Sequence, residues 1–164
     1  GKGGGNADGG DGGGGGGPPF EGRNVDFQSV YASFPSDFGF RLVRDVYAFK
    51  PDDACAGIKR YSNQVPLPAP DTRVALYINI EAAMVGDINV VAGDPGTGGD
   101  MRFASVAEYA PGMQTPKRDG LALPGTGFVR VTAFTPKQRV TGSYSLQFPS
   151  GERLTGDFDV NACP

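Results

Sequence analysis

Residues 140–163, VTGSYSLQFPSGERLTGDFDVNAC, decide how the rest of this chain is read. Val140, Tyr144, Leu146 and Phe148 alternate with Thr141, Ser143, Ser145 and Gln147. After a break, Leu154, Phe158, Val160 and Ala162 alternate with Thr155, Asp157, Asp159 and Asn161. A period of two places one side of an extended chain on a core and the other in water. Between the runs, Pro149 presets φ and Gly151 accepts the positive φ of a tight reversal, with Ser150 between them. The segment predicts a β-hairpin with one apolar face, and such a face needs a second layer to cover it.

The same signature recurs upstream. Residues 127–135 (GFVRVTAFT) alternate and lead into the hairpin through Pro136, Lys137 and Gln138. In residues 73–82 (RVALYINIEA), Val74, Leu76, Ile78 and Ile80 face away from Arg73, Tyr77, Asn79 and Glu81. Shorter extended runs are expected at 25–34, 38–49, 86–92 and 101–109, with turn residues between them. Residues 52–57 (DDACAG) predict one capped helical turn, and the prolines at 66, 68 and 70 mark an irregular loop. Residues 111–126, rich in Pro and Gly, are expected to form a long loop carrying Lys117, Arg118 and Asp119. No helical period of any length appears. The expectation is an all-β fold, an antiparallel β-sandwich (Ig-like or jelly-roll-like) of about eight strands over residues 23–164. Residues 1–22 (GKGGGNADGGDGGGGGGPPFEG) hold too little apolar surface to offset the entropy of ordering, and are expected to be a tether or arm with a reach of about 25 Å.

Composition narrows the function mainly by exclusion. With no histidine among 164 residues, Ser-His-Asp and Cys-His catalysis and His-ligated metals are ruled out. A net charge of −3 without a basic cluster argues against nucleic-acid partners. The two cysteines, Cys55 and Cys163, are too far apart for a CxxC site or a metal knuckle. They read as a disulfide rather than as two unrelated buried thiols, because a bridge at the end of the last strand closes a very long loop; an oxidising, extracytoplasmic compartment follows. No apolar run has the length of a membrane span. No signal peptide is seen, so the chain is expected to be a mature form or one never exported.

Three groups of residues are candidate sites. Asp94 and Asp100 bracket the glycine-rich turn DPGTGGD, where carboxylates could bind calcium, although the alternating acidic positions of an EF-hand are missing and a plain hairpin loop explains the same residues. Calcium is the only cofactor the sequence leaves open, and none is otherwise expected. Gly12, Gly13, Gly14, Gly15, Gly16 and Gly17 form the run by which a partner would hold the tail. The aromatics Phe27, Tyr31, Phe34, Phe38, Phe40, Tyr47 and Phe49 offer a sugar or peptide platform, against the simpler reading that most of them are core. Asp157 and Asp159 share the polar side of the last strand and read as a solvated face.

The closing segment RVTGSYSLQFPSGERLTGDFDVNAC and the earlier DDACA together resemble the corresponding parts of small, functionally uncharacterised bacterial envelope lipoproteins of the myxobacterial type. That resemblance covers the last forty or so residues well and the Gly-rich tail by composition only. It implies a disulfide-stapled β-domain held off a membrane by a glycine tail, in the outer membrane, periplasm or cell surface. Residue 1 is Gly, so a lipid-bearing cysteine would precede it. The expected function is a non-enzymatic extracytoplasmic interaction or assembly subunit, tethered through its N-terminal tail, with other envelope proteins or copies of itself as partners. The alternative is a ligand-binding module for calcium or glycan using the loops at one end of the sandwich. An Asp-based hydrolase ranks third, because no pair of carboxylates stands out.

Overall fold

A computed structural model of the chain describes residues 25–60, 68–90, 102–149 and 151–163. The strands are β1 (Ser29–Ser33), β2 (Phe40–Asp45), β3 (Arg73–Ile80), β4 (Gly86–Asn89), β5 (Arg102–Tyr109), β6 (Arg118–Leu121), β7 (Phe128–Thr135), β8 (Arg139–Gln147) and β9 (Arg153–Asn161). A helix, α1 (Pro51–Arg60), lies between β2 and β3. One antiparallel sheet has the order β1-β2-β3-β5-β6 and the other β4-β7-β8-β9. The protein is an all-β sandwich.

The hairpin forms as its alternation requires. β8 and β9 pair without a break from Arg139↔Asn161 to Gln147↔Arg153. Val140, Tyr144, Leu146, Phe148, Leu154, Phe158 and Val160 are all buried. Gly151 takes φ +88°, and its N–H donates to the Phe148 carbonyl at 2.9 Å to close the turn. These side chains meet Ala32, Phe40, Leu42, Leu76, Ile78 and Val106 of the five-stranded sheet. Phe40 reaches across to Phe158 and Phe134, with ring centroids 6.1 and 6.2 Å apart. This interlayer core supplies most of the hydrophobic stabilisation, at roughly 25 cal/mol per Å² of apolar surface buried.

Gly142 interrupts the apolar face of β8 for a steric reason. It sits opposite Val131 beside the bulge between Val131 and Ala133, where the Arg130 carbonyl and the Phe158 ring fill the space a Cβ would need. Gly142→Ala should therefore lower stability by about 2–3 kcal/mol through overpacking, read as a lower urea midpoint at unchanged m. A loss below about 0.5 kcal/mol would mean that the bulge relaxes at no cost.

The structure departs from the sequence expectation in three places. Among the described residues there are nine strands, because residues 111–126 contain β6 as well as loop. β6 is an edge strand of four residues that borrows the ladder of β5, from Glu108↔Arg118 to Ser105↔Leu121, and is too short to show a period of its own. α1 runs for ten residues instead of one turn. Pro51 occupies its first position, where no N–H is needed, Asp52 and Asp53 favour its positive end, and Gly57 is carried through at a cost of about 1 kcal/mol. The first two strands are also shorter than their aromatic runs, since Pro35 and Pro51 bound them and flanking residues pack without pairing.

The two sheets meet along one seam. β1 and β9, each an outer strand of its sheet, touch through a parallel bridge between Ala32 and Ala162. Cys55 of α1 and Cys163, just after β9, form a disulfide across this seam with Cα atoms 5.3 Å apart. Arg44 ties the layers again, donating to the Asp157 carbonyl at 2.8 Å and to the Tyr144 hydroxyl at 3.2 Å.

Candidate functional site

The outer face of the five-stranded sheet has a covered part and an open part. β3 is the central strand, and the Arg73 and Asn79 side that alternation assigns to its second face is buried too, at 1% and 2% exposure. Over β1, β2 and β3 this face is covered: Ala54 of α1 and Phe49 pack on Tyr31, Val43, Ala75 and Tyr109. The hydroxyl of Ser29 places that cover, donating to the Tyr47 carbonyl at 2.7 Å and accepting from the Phe49 N–H at 2.8 Å.

Beneath it lies a buried ion pair. Arg73 Nη1 stands 3.1 Å from Asp45 Oδ2, and the other carboxylate oxygen accepts the Tyr47 N–H at 2.9 Å. The guanidinium is stacked by Tyr109, 4.2 Å from ring centroid to Cζ, and by Phe49 at 5.4 Å. Burial pushes the Asp45 carboxyl up to about 6, against the lowering effects of the Tyr47 N–H and the Arg73 charge. Burial also pushes the Tyr31 phenol well above its usual value.

Over β3, β5 and β6 the same face is open, and a groove of about 450–500 Å³ lies there. Ser105 and Ala107 form its floor, with the buried Ala75 at the edge next to the cover, so no large side chain fills it from below. Tyr77 and Phe103 line one part of it, with ring centroids 5.9 Å apart, and Tyr109 lines another. Gln114, Thr115 and Pro116 supply a wall from the loop after β5. Gly112, at φ +76°, turns that loop back, and its N–H donates to the Ala69 carbonyl at 2.7 Å. Asp119 of β6, the cross-strand partner of Ala107, completes the polar lining. The phenols here stay protonated at neutral pH: burial raises Tyr77 and pushes Tyr109 up to about 12, Arg73 opposing the latter shift.

Comparisons with protein-family models, curated proteins and solved structures found no match. The candidate site therefore rests on geometry alone. A second cleft, of about 450 Å³, follows the seam beside the disulfide, between Gln28–Tyr31 and Asp159–Cys163. Its one carboxylate, Asp159, is already engaged by Arg139 through contacts of 2.8 and 2.6 Å.

The sequence candidates are distributed differently. Cys55 and Cys163 come together. Asp94, Asp100 and Gly12–Gly17 lie outside the described residues. Of the seven N-terminal aromatics, Tyr31 and Phe40 are buried, Phe27, Phe34 and Phe49 pack against the two cores, Tyr47 is half-buried edge-on to Phe49, and Phe38 is 72% exposed. They form no shared platform. Asp157 and Asp159 are exposed on β9, as a solvated face requires. Among the described residues no three of Cys, Asp and Glu converge as a metal site, and no helix is long and apolar enough to cross a membrane. The groove aromatics were missed because Tyr77 lies on β3 and Phe103 and Tyr109 on β5, and only strand pairing brings them together. Their one local trace is the spacing of β5, RFASVAEY, in which Phe103 and Tyr109 flank Ser105 and Ala107 on one side.

Proposed function

We propose that the protein is a non-enzymatic, extracytoplasmic binding subunit, held through its Gly-rich N-terminal stretch, whose ligand sits in the groove over β3, β5 and β6. The observation that carries this reading is the groove itself: a concavity with a floor of small residues and aromatic walls, built on paired strands, in the size range of small-ligand sites. A binding role fits its chemistry better than a catalytic one. Among its described lining residues Asp119 is the one carboxylate, and no second carboxylate stands opposite it. The Cys55–Cys163 bridge supports the oxidising compartment, and the likeness of the closing hairpin to envelope lipoproteins supports a place at a bacterial cell envelope or surface. Binding on the face of a sheet, rather than by loops at one end, is the form of the ligand-binding alternative that this geometry favours.

The test is a thermal-shift screen of the oxidised chain against soluble saccharides, short peptides, aromatic amines and calcium, run in parallel on Ala107→Phe, which fills the groove from its floor. A saturable rise in Tm with one class, absent from a folded Ala107→Phe and leaving the ligand chemically unchanged, is expected. A rise that survives Ala107→Phe, or turnover of the ligand, would remove this reading.

A further inference from the structure

Taking the groove as the binding site just proposed, we infer that its ligand is a carbohydrate: a short, neutral saccharide whose sugar rings lie against Tyr77 and Phe103, with the buried Tyr109 closing the other end of the groove. The shape of the groove favours this ligand. Phe103 and Tyr109 stand at the two ends of β5 with Ser105 and Ala107 between them, about 20 Å apart along the strand at ~3.3 Å per residue. An elongated, shallow trough with aromatic rings at its ends and low side chains in its middle suits a chain of rings better than one compact molecule.

Its surface chemistry does so too. A pyranose has an apolar C–H face and a periphery of hydroxyls that both donate and accept. The tilted pair Tyr77 and Phe103 offers the π-faces on which C–H groups stack. Ser105, Gln114 and Thr115 carry neutral groups able to donate and accept, and Asp119 can accept from two neighbouring hydroxyls at once. No lysine or arginine is among the described residues lining the groove, and Arg41 and Arg73, which act on Tyr77 and Tyr109, do not reach its surface, so a phosphate, nucleotide or acidic ligand would find no direct ion-pair partner there.

A peptide fits less well. β3 is paired on both sides, and β5 pairs with β3 along its length and with β6 from Ser105 to Glu108, so most backbone N–H and C=O groups of these two strands are spent in the sheet. An extended peptide laid on them would lose water from its own amides without gaining ladder partners, which is costly for each buried group. A saccharide brings no such backbone.

Preorganisation strengthens the case. Tyr109 is held against the buried Arg73 guanidinium, which Asp45 anchors in turn, so this wall is set before any ligand arrives and costs little further entropy on binding. Arg73 is a positioning residue here and does not line the groove.

Isothermal titration calorimetry of the intact, oxidised chain with cellobiose, maltose, lactose and N,N′-diacetylchitobiose, alongside gel retardation by the matching polysaccharides, tests the inference. At least one saccharide is expected to bind saturably. Phe103→Ala should weaken it roughly tenfold, the scale of one lost stacking contact, with Phe103→Tyr restoring affinity and Ala107→Phe abolishing it. Circular dichroism on each variant guards against misfolding, since Phe103 is only partly buried. A saccharide bound equally well by Phe103→Ala and Ala107→Phe would overturn the inference. If no saccharide binds while a ligand of another class is displaced by Ala107→Phe, the carbohydrate assignment falls and the groove stands as a binding site. Silence from every class removes both.

Discussion

Replacing Cys55 and Cys163 by serine should cost the fold about 4–5 kcal/mol, the chain-entropy value for a bridge that closes a loop as long as this one. The two cysteines are 108 residues apart, so the disulfide restricts most of the unfolded chain between α1 and the end of β9. A domain of this size has about 5–15 kcal/mol in all, so the reduced protein should sit close to its unfolding threshold. The seam should open first. It is tied by the Ala32–Ala162 bridge, the Arg44 hydrogen bonds and the disulfide, with the exposed Lys137–Asp37 pair linking the two sheets at their turns. Urea unfolding of oxidised, reduced and Cys55→Ser/Cys163→Ser protein provides the measurement, with a midpoint about 2 M lower for the last two if m is near 2 kcal/mol/M. A loss under about 1 kcal/mol would show that the folded seam does not depend on the bridge.

The second large effect belongs to Asp45 and Arg73. Arg73→Met should destabilise by about 3–5 kcal/mol, because it leaves a carboxylate at 0% exposure without its cation. Asp45→Leu combined with Arg73→Met should recover more than half of that loss, since two apolar side chains carry no desolvation penalty. If the double variant is as damaged as Arg73→Met alone, packing rather than charge is what the pair contributes.

The same carboxyl makes stability depend on pH, with a definite sign. Its folded pKa, about 6, lies above the ordinary carboxylate value, so the folded state holds the proton more tightly than the unfolded one. Stability from this group is full below about pH 4 and is lost as pH rises through about 6, by up to roughly 3 kcal/mol for a shift of two units. Arg73 and the Tyr47 N–H face the carboxylate, with Tyr31 and Tyr109 beside it, and the phenols stay neutral throughout this window. The exposed pairs act in the opposite sense at lower pH, since Arg130 and Arg139 hold Asp87 and Asp159 below the usual range. Subtracting the pH profile of Asp45→Asn from that of the wild type isolates the buried group. A difference that stays flat between pH 4 and 7 would contradict the expected coupling.

How much of this was legible in the chain depends on the distance over which each feature is encoded. Val140 to Phe148 and Leu154 to Val160 announce a half-buried hairpin because the period of two is a local property, set by where successive Cβ atoms point. The same holds for Val74 to Ile80. The inner face of the sandwich could therefore be named residue by residue, and Cys55 had one possible partner. β6 was hidden because a four-residue edge strand is made by its neighbour more than by its own side chains.

The candidate site was hidden for a related reason. Polar Arg73 and Asp45 would be placed in water by any local rule, yet they are buried together because β2 and β3 pair in a register that puts Asp45 opposite Ala75, two residues from Arg73 on the same face. Tyr77, Phe103 and Tyr109 become neighbours only when β3 pairs with β5, from Arg73↔Tyr109 to Ile80↔Arg102. The sequence expectation put ligand contacts on end loops, because turns are where glycine and aspartate gather, whereas the groove occupies the face of a sheet.

The amino-acid sequence by itself determined the all-β class, the apolar face of the hairpin and the identity of the disulfide partners, since alternation and elimination need no partner strand. Only the tertiary structure decided which strands lie side by side, and with them the buried ion pair and the aromatic groove. Cross-strand register brings distant residues within contact distance, and no local period encodes it.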